Sequence, residues 1–176
     1  FGSDQQPDIS AAVTAATAAG VLVVTASGNN GTHHYLGDRD DVISVAATDQ
    51  NDRLTLFSNR GAFVDLCAPG QSIATTTLRA TGSDSIGLRT PYYSSAEAGT
   101  SFSSPMVAAA AALLQADRRA RGLPPLLPYL AQLRLTETAD NITPVNPGTG
   151  YGTGRLNLQR MLTDPPYSNA FPVGAA

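Results

Sequence analysis

From Ser101 to Ala116 the chain carries no charge, and within that stretch Ala108 to Ala112 is an unbroken run of alanine. Alanine is the strongest helix former, and Met106, Val107, Ala110, Leu113 and Leu114 recur at helical spacing. Pro105 is expected in the first turn of this helix, where its missing N–H costs no hydrogen bond. Arg118, Arg119 and Arg121 suit the negative end of the helix dipole, and Gly122 then Pro124 stop it. A helix uncharged on every side is expected to be buried on every side. The turn Gly99-Thr100-Ser101 sets a hydroxyl at its N-terminus. Two readings of Ser101 follow. It is a helix N-cap, or it is a nucleophile placed where free N–H groups favour developing negative charge.

The segments upstream alternate helix and strand. After Pro7-Asp8, the alanine-rich stretch Ile9 to Ala16 reads as a helix that Gly20 terminates. Val21 to Ala26 is a continuous apolar and β-branched run, expected as a strand covered on both faces of a parallel sheet. Val42 to Ala47 is a second buried-strand candidate. Helix followed by buried strand points to α/β winding. Ser27-Gly28-Asn29-Asn30-Gly31 follows the first strand, at the carboxyl end where α/β sheets carry their sites; its plainer reading is a turn. It is not the Gly-x-Gly-x-x-Gly turn of a dinucleotide binder. His33-His34, the only histidines, lie in a polar loop and read as exposed rather than catalytic. No Cys or carboxylate cluster with zinc-ligand spacing accompanies them.

Further along, Arg79 to Ala98 reads as a long polar connection. Leu126, Pro128, Leu130 and Leu133 suggest a short amphipathic helix ending near Thr138-Ala139. Gly148 to Gly154 is a glycine-rich turn whose glycines answer backbone geometry, because no Gly-Lys-Ser/Thr follows to make a phosphate loop. The 176 residues suffice for one domain with a sizeable core. A net charge of −3 gives no sign of a nucleic-acid groove or an anionic membrane surface. No apolar run has the length of a membrane span, and the single cysteine, Cys67, excludes an internal disulfide.

Five phrases, in this order, resemble one family. Ala-Ser-Gly-Asn-Asn-Gly ends at Gly31, and Phe57-Ser58-Asn59-Arg60-Gly61 precedes Val64-Asp65-Leu66-Cys67-Ala68-Pro69-Gly70. Gly99-Thr100-Ser101-Phe102-Ser103-Ser104-Pro105-Met106-Val107-Ala108 completes the set, and Tyr-Gly-Thr-Gly-Arg-Leu-Asn closes it at Asn157. Together they resemble the second half of a subtilisin-like serine peptidase (subtilase) domain. The resemblance implies a three-layer α/β fold with a mostly parallel sheet, here its C-terminal part over residues 1–163, and a Pro-rich tail over 164–176.

It also implies the site. Ser101 is the catalytic serine, and Asn29 donates its side-chain amide to the oxyanion. Gly2, Ser27 and Gly28 border the S1 pocket and substrate-strand groove by backbone pairing, while Thr100 supports the oxyanion or the turn. No cofactor is required, and Asp65 is a candidate calcium ligand. The triad of this family runs Asp, His, Ser along the chain, so its Asp and His segments are expected before residue 1. The resemblance then implies a two-chain protein whose separate N-terminal fragment supplies them, with a break just before Phe1. The substrate is a peptide or protein, and the implied location is secreted. A zymogen-like protease regulated by cleavage and an inactive pseudoprotease acting as a binding subunit stand as alternatives.

Overall fold

The computed structural model describes residues 7–31, 35–76, 93–148 and 150–164. Gly2, His33, His34 and the Pro-rich tail beyond Asp164 lie outside the described residues. In order come helix α1 (Pro7–Ala18), strands β1 (Val23–Ala26), β2 (Val42–Thr48), β3 (Leu66–Pro69), β4 (Ile73–Thr76) and β5 (Tyr93–Glu97), then helices α2 (Thr100–Ala120), α3 (Pro128–Glu137) and α4 (Leu158–Thr163). The first three strands form a parallel sheet in the order β1-β2-β3, with Val23 opposite Val42 and Val45 opposite Leu66. Strands β4 and β5 form a separate antiparallel pair.

Strand periodicity divides the core in two. On β2 and β3, Ile43, Val45, Leu66 and Ala68 point to one face and meet Val107, Ala110 and Leu114 of α2, Leu130 and Leu135 of α3 and Met161 of α4. Ala46 and Cys67 point to the other face, where Val64, Ile142 and Tyr151 cover them. Every residue of β2 is buried, as its continuous apolar run predicts. The chain after the glycine-rich turn is stitched to β3: the Cys67 N–H donates to Gly154 C=O and the Leu156 N–H to Cys67 C=O. At Gly152 a Cβ would run into the Asp65 carbonyl, and at Gly154 into that of Asp140. Close backbone approach is therefore what these glycines permit.

Several expectations are corrected. Strand β1 begins at Val23 and is half-buried along its length rather than covered on both faces. It is an edge strand among the described residues, paired only with β2. Helix α2 buries Thr100, Ser103, Val107, Ala110, Ala111, Leu114 and Arg118, which is one face and not all sides. Ala108, Ala109, Ala112 and Leu113 lie on the opposite face, with Leu113 51% exposed. Absence of charge thus marks a face that no described residue covers. Pro105 stands at the sixth helical residue, past the first turn. The bond it cannot donate is the one to the Ser101 carbonyl, four residues back, at an end of the helix where Ser101 is exposed. The polar connection of Arg79 to Ala98 contains strand β5 at its C-terminal end, while residues 77–92 lie outside the described residues. In α3 the buried side chains are Leu130, Ala131, Arg134 and Leu135, and Leu133 is outward.

Candidate active site

The carboxyl ends of β1 and β3 and the N-terminus of α2 converge. The α2 helix is held against β3 by polar bonds at its first turns. The buried Ser103 hydroxyl reaches the carbonyls of Ala68 (3.0 Å) and Pro69 (3.1 Å), and the Gly99 N–H donates to Gly70 C=O at 2.8 Å. A Cβ on Gly70 would collide with Ser103 Oγ and the Ala47 side chain, so only glycine admits this approach. The N-cap is Gly99, at φ 149° and without a side-chain cap bond, which corrects the N-cap reading of Ser101. That backbone angle is one that residues with a Cβ rarely adopt. Ser101 is the second residue of the helix and exposed. Its N–H is among the four that a helix leaves without an intrahelical acceptor.

Asn29 is exposed beside it, and its amide is oriented by the residue next to Ser101. Asn29 Oδ1 accepts the Thr100 N–H at 2.9 Å and the Thr100 hydroxyl at 3.0 Å. A backbone N–H can only donate, so the amide oxygen must face Thr100 and the NH₂ group is directed away from it. The Thr100 side chain is fully buried, and its oxygen also accepts the Gly28 N–H at 3.2 Å. Thr100 therefore positions Asn29; a buried hydroxyl with both partners filled does not meet a substrate. The geometry supplies a hydroxyl on the positive end of a helix dipole and an amide donor held on the adjoining loop.

Ser27 and Gly28 lie behind Asn29, both buried. Their four backbone groups bond within the chain: Ser27 N–H to Val45 C=O, Gly28 N–H to Thr100, and both carbonyls to Asn59. Both N–H groups are thus taken up within the chain, and each carbonyl holds one donor from Asn59. These two residues set where Asn29 leaves the strand. Asn59, which the sequence places in a family-like phrase without a role, makes two of those four bonds. The available signal was its place in the Phe-Ser-Asn-x-Gly phrase.

Two more side chains were singled out. Asp65 accepts the Ser44 N–H at 2.7 Å and Gln132 Nε2 at 3.4 Å, and burial pushes its carboxyl above the ordinary value. Among the described residues no group of three or more His, Cys, Asp or Glu is placed to hold a metal. Cys67 is fully buried, its thiol donates to Tyr151 C=O at 3.1 Å, and burial pushes its pKa up to about 12. That thiol stays protonated at neutral pH and is not a nucleophile.

The arrangement on the page is an exposed serine at a helix N-terminus beside an oriented amide, at the carboxyl end of a parallel sheet. Comparison with known protein families matches residues 1–154 to the subtilase family. The chain is 38% identical over 146 residues to the thermophilic serine proteinase of Bacillus sp. (strain AK1), covering 82% of this chain and 31% of that protein. It is 35% identical over 154 residues to subtilisin DY of Bacillus licheniformis, covering 84% of this chain and 49% of that protein. The solved structure of the prenylagaramide maturation protease PagA superposes with a TM-score of 0.75 at 25% identity, over 90% of this chain and 56% of that one. The chain belongs to the subtilase family and is a homologue of the subtilisin-like serine peptidases. It spans about half, or less, of the length of these relatives. No helix among the described residues is long and apolar enough to cross a membrane.

Proposed function

We propose that this chain carries the nucleophile and oxyanion donor of a serine endopeptidase. The observation that carries the reading is the Asn29 amide pinned by Thr100 beside the exposed Ser101 at the N-terminus of α2. In this reading Ser101 Oγ attacks the carbonyl carbon of a peptide bond. Its proton passes to a histidine, and an aspartate orients that histidine. Asn29 Nδ2 and the Ser101 N–H hold the oxyanion of the tetrahedral intermediate. Protonation of the amine by the histidine releases the first product, and water then hydrolyses the acyl-enzyme. The histidine and aspartate come from an N-terminal fragment of the same precursor, held as a separate chain. What supports a further segment packed here, in the same or a separate chain, is the edge of β1 and the apolar face of α2, which no described residue covers. Ser27 and Gly28 shape the wall behind Asn29, and the segment around Gly2 pairs with the substrate backbone. The protein works outside the cytoplasm, as the family resemblance implies.

Fluorophosphonate labelling of the purified native protein, run with intact mass, tests this. A labelled 18 kDa chain that travels with a second fragment, and loses its label on Ser101→Ala, supports the reading. A label on one longer polypeptide keeps the peptidase and removes the two-chain arrangement. A partnered chain that fails to label favours the binding subunit or the locked zymogen. The acyl transfer needs no cofactor, so EDTA is expected to leave labelling unchanged; a loss would direct attention to calcium at Asp65.

A further inference from the structure

We infer that Asn59 is a positioning residue for the oxyanion donor, acting through the loop that carries Asn29; the inference rests on the peptidase reading. The side chain of Asn59 is 4% exposed and reaches no surface from which a substrate could be touched. Its Oδ1 accepts the N–H groups of Asn30 (3.1 Å) and Gly31 (2.6 Å), and its Nδ2 donates to Ser27 C=O (2.9 Å). Its backbone completes the clamp: the N–H donates to Gly28 C=O at 2.9 Å, and the C=O accepts the Ser27 hydroxyl at 3.1 Å. Residues 27, 28, 30 and 31 are thus all tied to Asn59, and the residue skipped is Asn29. Its side chain is left to Thr100 and the reaction.

Such an arrangement has a physical purpose. Loops are the least rigid part of a scaffold, and an oxyanion donor stabilises charge only if its N–H is already aimed where that charge develops. Thr100 fixes the amide at its tip, and Asn59 fixes the backbone at its root. An asparagine suits the second task because one planar group offers an acceptor to two adjacent N–H groups and a donor to a carbonyl. Aspartate keeps the acceptor but sets a carboxylate oxygen against the Ser27 carbonyl. Alanine leaves that carbonyl without its donor in a buried place.

The test uses the full protein with its N-terminal segment and the rate of fluorophosphonate labelling, resolved into a maximal rate and a half-saturating concentration. Asn59→Ala and Asn59→Asp are each made alone and combined with Asn29→Ala. A donor displaced by about 1 Å costs up to about 10²-fold, so each single variant is expected to lower the maximal rate about 10- to 100-fold. The half-saturating concentration is expected to stay within about twofold. In the Asn29→Ala background the same substitutions are expected to change the maximal rate less than about twofold, because the group they position is gone. Equal losses in both backgrounds overturn the inference and make Asn59 an ordinary fold residue, as does a wild-type rate in Asn59→Ala. If Asn59→Ala does not fold, the Asn59→Asp pair decides. A wild-type protein that does not label overturns the peptidase reading itself, and the inference with it.

Discussion

Ser101 and Asn29 stand on either side of Thr100 and are held there by opposite means. Ser101 rides on a 21-residue helix whose Val107, Ala110 and Leu114 sit in the main core against β2 and β3. Asn29 stands on a loop with no apolar anchor of its own. Its position comes from polar groups: Thr100 at the amide, and Asn59 on either side along the backbone. Packing energy is non-directional and places a helix as a body, whereas hydrogen bonds are directional and place a single amide. In the proposed mechanism the value of Asn29 as an oxyanion donor depends on that aim.

The largest expected break is Ser101→Ala. In subtilisin itself, loss of the serine costs about 2 × 10⁶ in kcat, so hydrolysis and labelling are expected to fall below detection. Residual labelling of the variant would place the nucleophile elsewhere. Asn29→Ala comes next. Removing one oxyanion donor costs about 10²–10³ in kcat, a figure that comes from the subtilisin asparagine. The expected signature is a fall in kcat with KM nearly unchanged, accompanied by a stability loss of about 1–3 kcal/mol, because Asn29→Ala leaves the buried Thr100 N–H and hydroxyl without their acceptor. A rise in KM in place of the fall in kcat would contradict the division drawn above.

Leu114→Ala tests the other arm. This fully buried side chain joins α2 to the sheet, and truncating such a leucine costs roughly 2–5 kcal/mol. Denaturant unfolding should therefore show a large loss of stability. The kcat of the fraction that remains folded, counted by active-site titration, is expected to change less than about threefold. A loss of kcat on the scale of Asn29→Ala would mean that packing aims the oxyanion site as well.

The sequence carried this division only in part. Elements that announce themselves within ten or so residues were legible: the alanine-rich helices, the fully apolar β2, and the turns around Asn29 and Ser101. The burial of α2 was misjudged because lack of charge says that a face avoids nothing, not that something covers it. Strand β5 escaped because Tyr93 to Glu97 has no clean alternation, and its partner β4 stands across a long connection. The clamps escaped for a related reason. Thr100 meets Gly28 across 72 positions, and Asn59 meets Gly31 across 28, so no local pattern relates them. Each sat inside a phrase that resembled the family, which showed where to look but not which atoms meet.

The smallest effect is one of pH. Asn29, Thr100, Asn59 and Ser27 have no group that titrates between neutral and strongly alkaline pH. Cys67 stands on β3 beside the Ala68 whose carbonyl receives Ser103, with its side chain on the sheet face away from α2, in the cluster of Val64, Ile142 and Tyr151. Burial raises its thiol from 9.0 to about 12. Between those values the folded chain keeps a proton that the unfolded chain has released, so stability falls as pH rises, by at most about 1.4 kcal/mol per pH unit. Below about pH 9 the contribution is complete. Cys67→Ala removes the titration at the expense of some packing. Its stability is expected to be lower at pH 8 and to decline less steeply than the wild type between pH 9 and 11, as read by urea unfolding at each pH. Parallel declines in the two proteins would show that the thiol titrates alike in both states. A shallower decline would locate alkaline sensitivity in the Cys67 cluster behind the sheet, on the face away from α2.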